Sequence, residues 1–262
     1  MHSKLIIIAK QHIKKNRSSK NIIVRWFAAI LESLWNMCQA TIRVCTDKEY
    51  RNDIFMKVLN GKNVHQTTPL TFMNRYPKIF TACQEYFKGR EDLKILSYGC
   101  STGEEVLTLR RYFPNSKIIG TDINKQSLNT CRKLQVDENI NFIYSSQKEI
   151  QKHGKFDAIF CMAVLQRKPH DIAAMGITNL KKIYPFEKFE KQIISLDNLV
   201  KPNGLLIVHF TQYSLLDTRV AHKYKPLGNY VQDDYTTPVF DRNSEIIKNP
   251  NPQKSVFIKL NA

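Results

Sequence analysis

None of the six cysteines (Cys38, Cys45, Cys83, Cys100, Cys131, Cys161) stands in a C-x-x-C pair, and the seven histidines show no paired metal spacing. A zinc site and a small disulfide framework are both unexpected, so no metal is predicted. Thiols scattered through apolar stretches pack like other small core residues, which predicts reduced cysteines and a cytoplasmic protein. Long apolar runs are missing too. The run over residues 5–9 is too short for the core of a signal peptide or a membrane span, despite its charged flanks. Acidic residues are scarce: 23 Asp and Glu face 40 Lys and Arg, a formal net charge of +17. That surface attracts polyanions, whether nucleic acid, anionic lipid or an acidic protein face, without choosing among them. A nucleic-acid partner is possible but not favoured, because no Asn/Asp-Pro-Pro-Tyr/Phe motif for base amines is present and Cys161 is not followed by proline.

With 262 residues, 42% of them apolar, the chain can bury one substantial core. A basic helical extension over residues 1–62 and a single catalytic domain over 63–262 are expected. Residues 22–44 place Ile23, Trp26, Phe27, Ile30, Leu34, Met37 and Thr41 at helical spacing, an amphipathic helix that covers the core or docks on a membrane surface or partner. Docking would hold a cytoplasmic protein peripherally at the inner membrane surface. A second helical stretch over 53–59 stops at Asn60-Gly61, and a third runs from Pro77 to Phe87. Beyond residue 90, short apolar strands (94–98, 117–121, 140–144, 156–162, 204–210) alternate with helices (103–112, 125–134, 147–152, 186–200). Alternation of this kind means an α/β fold with a mostly parallel sheet covered on both faces. The last apolar run, 255–260, is expected to close the sheet as an antiparallel edge strand.

The first strand runs into Gly99-Cys100-Ser101-Thr102-Gly103 and then a helix beginning at Glu104, the strand, tight loop and helix of a nucleotide-type cofactor site. The loop is neither G-x-G-x-x-G nor G-x-x-x-x-G-K-[ST] and has no lysine for phosphate. Glu104 and Glu105 at the helix start oppose a pyrophosphate but suit a cofactor carrying a sulfonium and an ammonium group. Asp122, at the end of the second strand, is placed to accept hydrogen bonds from both hydroxyls of a ribose.

These residues resemble a known family. Residues 97–105, Ser-Tyr-Gly-Cys-Ser-Thr-Gly-Glu-Glu, look like the S-A-G-C-S-T-G-E-E segment of the chemotaxis receptor glutamate methyltransferases, within the class I enzymes that use S-adenosylmethionine. Gly120-Thr121-Asp122-Ile123 is similar to their A-T-D-I, residues 156–161 to F-D-L-I-F-C, residues 199–204 to L-L-K-P-G-G, and residues 67–80 to T-T-N-E-T-x-F-F-R-D-P-x-x-F. The resemblance implies a Rossmann-like, mostly parallel seven-stranded sheet with helices on both faces. It also implies that Gly99, Cys100, Ser101, Thr102, Gly103 and Glu104 hold the methionine part of S-adenosylmethionine and Asp122 its ribose. Ile123 packs on adenine, and Met162, at the end of the fourth strand, is also counted among the cofactor-binding residues. Arg75 then stands over the cofactor beside the methyl acceptor. After that strand this chain has residues 162–168, Met-Ala-Val-Leu-Gln-Arg-Lys, where the family has R-N-V-x-I-Y-F.

The acceptor, a protein or a small molecule, follows from chemistry. Methyl transfer from a sulfonium is an in-line displacement in which the protein mainly orients the acceptor. A carboxylate needs no general base, and Arg75 suits one. A hydroxyl or amine needs a base, for which His65, His170, His209 and Tyr213 are candidates. A small-molecule or glycan O- or N-methyltransferase, its pocket closed by residues 168–186 and 217–235, is the alternative.

Overall fold

The computed structural model describes residues 15–47, 50–51, 54, 65–66, 70–233 and 237–261. The chain divides into two compact units, Met1–Leu59 and Asn60–Ala262. The helix expected over 53–59 lies outside the described residues apart from Ile54, as do residues 67–69 of the segment around Arg75.

In the first unit, α1 spans Ile22–Thr46. It has no proline or glycine to break it, and the side chain of Asn21 caps it by accepting from the Ile23 N–H at 2.9 Å.

The second unit opens with α2 (Pro77–Tyr86), whose proline sits in the first turn, where no backbone donor is needed. Then follow β1 (Lys94–Tyr98), α3 (Glu104–Tyr112), β2 (Lys117–Asp122), α4 (Lys125–Cys131), β3 (Ile140–Tyr144), α5 (Gln147–Lys152), β4 (Phe156–Met162), α6 (Pro169–Ala174), α7 (Phe186–Asp197), β5 (Val200–His209), β6 (Tyr224–Pro226) and β7 (Val256–Lys259). The sheet order is β3-β2-β1-β4-β5-β7-β6, with β1 to β5 parallel and β7 antiparallel to both its neighbours.

Alternation along the strands feeds two cores. Ile95, Ile118 and Phe160 join α2, α3 and α4 on one face, while Leu96, Ile119 and Ile159 join α5, α6 and α7 on the other. Every residue of β4 is buried, as the centre of a doubly covered sheet requires. Asp157 braces the N-terminal ends of the strands, accepting from Arg90 (2.9 Å), Lys201 (2.7 Å) and the Lys94 N–H (2.9 Å). That leaves the C-terminal ends, where ligands bind in open parallel sheets, to the loops that carry the candidate residues.

Three expectations are corrected. The last apolar run is antiparallel but internal, because β6 pairs outside it as the edge strand. Three residues are too few to show a period, and Pro226 is tolerated only where no ladder partner is required. A short helix, α6, lies within residues 168–186, read from sequence as an insert; Pro169 starts it. The fifth strand begins at Val200 rather than at 204.

Candidate active site

The loop after β1 is wound onto the end of β2. Gly99 N–H and Cys100 N–H both donate to the Thr121 carbonyl, at 2.8 and 2.9 Å. Ser101 N–H donates to Asp122 Oδ2 at 2.9 Å. The backbone is left-handed at Gly99 (φ +83°), Ser101 (+49°) and Gly103 (+104°), alternating with ordinary residues to make a tight curl that ends at the N-cap of α3. At Gly99 the close approach is specific, since a Cβ there would lie 2.4 Å from Val164 Cγ2. The loop after β4 therefore sits directly against the loop after β1. Cys100 is buried among the core residues, so its thiol is withdrawn from any ligand of the loop. The Cys131 thiol donates to the Ser101 carbonyl at 3.1 Å and so fixes the loop from below. Thr102 Oγ1 donates to Glu104 Oε2 at 2.7 Å. Met162 is buried as the last residue of β4.

Three carboxylates surround this curl, and none is matched by a basic residue in the loop. Asp122 also accepts from the Asn124 N–H at 2.7 Å, and burial raises its pKa against the pull of the backbone N–H groups of Asn124, Ser101 and Ile123. Those amides leave part of the four-site acceptor capacity of a carboxylate unused. Burial pushes Glu105 up to about 7, although Ser97 Oγ donates to it at 2.7 Å and the Arg75 charge acts in the opposite direction. No reading of spacing reveals that perturbation, because it comes from the sheet and loop closing over the side chain.

Two cavities flank the curl. One, of 630 Å³, is lined by Tyr98, Ile123 and residues 144–147 at the ends of β1 to β3, together with His65 and α7 residues from Lys188 to Leu196. Sequence reasoning named Ile123 and His65 alone among these. The pair Ser145-Ser146, at the C-terminal end of a parallel strand, was the sequence signal for a cavity at this place. The other cavity, of 240 Å³, is lined by Arg75 on one side and by Ala163, Gln166, Lys168 and His170 on the other. Arg75 donates one N–H to the Leu70 carbonyl at 2.9 Å and lies over the Phe72 and Tyr76 rings, which hold its guanidinium in place.

Of the four candidate bases, only His170 lines this cavity. His65 is hydrogen-bonded to the Tyr184 hydroxyl at 2.7 Å, and burial pushes it down to about 3. His209 is paired with Ser255 Oγ at 2.8 Å, covered edge-on by Tyr76, and burial pushes it down to about 4. Tyr213 is fully buried and donates to the Tyr184 carbonyl. His209 and Tyr213 are parts of the frame, and His65 lines the larger cavity with its ring tied to Tyr184.

Residues 90–241 match the family model described as a methyltransferase domain. Among curated proteins, the chain is 24% identical over 150 residues to an uncharacterised protein of Rickettsia prowazekii, covering 54% of each. It is 35% identical over 78 residues to a malonyl-acyl-carrier-protein O-methyltransferase of Ilyobacter polytropus, covering 29% of each. The chain thus spans about half, or less, of the length of these relatives. Among solved structures, it aligns with an S-adenosylmethionine-bound amino pentose methyltransferase from Micromonospora echinaspora at 12% identity and a TM-score of 0.39, covering 62% of this chain and 57% of that one.

Proposed function

This chain belongs to the family of methyltransferase domains, and from that premise we propose that it transfers the methyl group of S-adenosylmethionine to a carboxylate, on a protein side chain or a similar acceptor, held beside Arg75. The residues present fit that cofactor. The curl is surrounded by carboxylates and holds no cation, which disfavours a pyrophosphate and favours a ligand with a positive centre. Bound there, S-adenosylmethionine supplies an electrophilic methyl group on a sulfonium. Asp122 accepts hydrogen bonds from ribose hydroxyls, and Ile123 covers adenine at the mouth of the larger cavity. Glu104 and Glu105 face the cationic methionine end with negative charge.

The observation that carries the acceptor assignment is the place of Arg75. Its guanidinium opens on a cavity whose far wall is the loop after β4, the same loop that touches Gly99. A carboxylate gripped there bidentately lies beside the cofactor loop, already ionised at neutral pH and needing no proton removed. The likeness of residues 67–80 to the receptor-modifying enzymes supports the same reading. So does the absence of an accessible imidazole other than His170 from this cavity, among the described residues.

The test is incubation of the protein with methyl-labelled S-adenosylmethionine and cell extract, followed by mild base. Label on protein that is released as methanol is the expected result. Base-stable label, or label confined to small molecules, would replace the carboxylate by an O- or N-linked acceptor. Arg75→Ala is expected to lower kcat/KM for the acceptor about a hundredfold, the worth of one charge-assisted bidentate contact, with cofactor affinity little changed.

Glu105 gives the site a pH dependence. Its carboxyl, near 7 in the fold against 4.5 ordinarily, binds more protons in the native than in the unfolded state across that interval. Burial of the charge therefore lowers stability as pH rises from 4.5 to 7, and below 4.5 the penalty is absent. Cofactor binding reverses the sign, because a cation beside Glu105 favours the ionised form. Affinity for S-adenosylmethionine is expected to rise up to about tenfold per pH unit below 7 and level off above it. Calorimetric titration across this range should show that slope in the parent and a flat profile in Glu105→Gln; equal slopes would place Glu105 outside the site.

A further inference from the structure

Helix α1 carries an apolar arc that the catalytic chemistry does not use. Ile23, Trp26, Phe27, Ile30, Leu34 and Met37 recur at spacings of three and four, so they line one side of the helix. All six are exposed, Trp26 at 70% and Met37 at 65%. The opposite side carries Arg25, Glu32 and Arg43, with Glu32 ion-paired to Arg17 at 3.0 Å. An amphipathic helix ordinarily turns its polar side to water; this one presents its apolar side, and a large aromatic-rich apolar patch marks a docking surface.

Two occupants fit such an arc, a second α1 or a lipid surface, and the flanking residues and charge decide between them. Ile23, Phe27, Ile30, Leu34, Met37 and Thr41 follow the alternating four-three spacing of a helix seam. The positions beside that seam, Val24, Trp26, Leu31, Ser33, Cys38 and Ala40, carry no charge. Paired coiled helices use charges there to choose register and partner. An uncharged margin instead widens the arc into the face of a helix lying in a membrane interface, with tryptophan and phenylalanine on the apolar side.

Residues 1–59 carry eleven Lys and Arg against four Asp and Glu, and the whole chain is +17. Two copies repel each other, whereas an anionic bilayer attracts each basic residue near its surface by about 1 kcal/mol. No helix among the described residues is long and apolar enough to cross a membrane, so the geometry available to α1 is parallel to the surface. We propose that α1 is an interfacial helix that docks this chain on anionic phospholipid, with the arc from Ile23 to Met37 inserted among the lipid chains.

Co-sedimentation of the full chain with vesicles tests this. The chain is expected to sediment with phosphatidylcholine vesicles containing phosphatidylglycerol, to be released by salt, and to sediment little with phosphatidylcholine alone. Replacing Trp26 and Leu34 together with glutamate should lower partition about tenfold or more, two buried apolar side chains being exchanged for repelled charges, while circular dichroism shows the helix content retained. Should that variant lose helix, Arg25→Ser with Arg43→Ser leaves the arc intact and is expected to weaken binding about tenfold and flatten its salt dependence. The proposal falls if the parent does not sediment or binds both vesicle types equally. It falls equally if the substituted chains bind as the parent does, or if ultracentrifugation shows a dimer that the glutamate variant dissociates.

Discussion

Asp122→Ala is expected to weaken S-adenosylmethionine binding by about a hundredfold or more, the loss of two hydrogen bonds to a charged acceptor at roughly 1.5–3 kcal/mol each. The carboxylate does two things at once. It receives Ser101 N–H at 2.9 Å and Asn124 N–H at 2.7 Å, so it holds the curl to the end of β2, and it offers its remaining lone pairs to the ligand. Truncation to alanine leaves two amides without their acceptor, and the loop loses its shape along with its ligand contact. Asp122→Asn separates the two effects. One side-chain oxygen still accepts, but the amide nitrogen that replaces the other meets a backbone donor, so binding should fall between the parent and alanine proteins. Isothermal titration of the three proteins, with thermal melting as the control for folding, gives the comparison. An alanine variant that melts and binds like the parent would remove Asp122 from the site.

Gly99→Ala is expected to destabilise the fold by about 2–4 kcal/mol and to abolish measurable cofactor binding. A left-handed φ of +83° costs a residue with a Cβ about 1–2 kcal/mol. The added carbon also lies 2.4 Å from Val164 Cγ2, inside contact distance, and valine has no long flexible end to swing away. One of the two loops must move, and both belong to the site proposed for cofactor and acceptor. Val164→Ala removes the clash but not the backbone strain, so the double variant should recover part of the stability and little of the binding. Chemical denaturation of the parent, both single variants and the double variant tests this as a cycle. If the two substitutions are additive, the contact between the loops does not cause the loss.

Much of this could be read from residue order. The strands at 94–98, 140–144 and 156–162 match because each is a short, mostly apolar run bounded by polar or turn residues, and β4 is apolar at every position but Asp157, as a doubly covered strand allows when its one charge is paired. The curl and Asp122 were legible because a tight turn onto a helix needs glycine at fixed places and an acid at a strand end needs no distant partner to be recognised. Misreadings came where partners are remote. β6 is three residues long and acquires its identity only from pairing with β7, and Asp197 helps to hold that pair on α7 by accepting from Tyr224 and Lys259. His65 and Tyr213 stood as candidate bases near strand ends, and only the fold shows them joined through Tyr184.

By itself, then, the sequence determined the α/β alternation, the tight curl after β1 with an acid at the end of β2, and an amphipathic helix among basic residues, because each is written in the local period of the backbone or in a turn that only certain residues tolerate. Tertiary structure alone decided that Val164 stands against Gly99, that Glu105 is buried deeply enough to titrate near 7, and that Arg75 faces the loop after β4 across a cavity. These join residues far apart in the chain, brought together when apolar strand faces set the order of the sheet, and no spacing within one segment encodes that order.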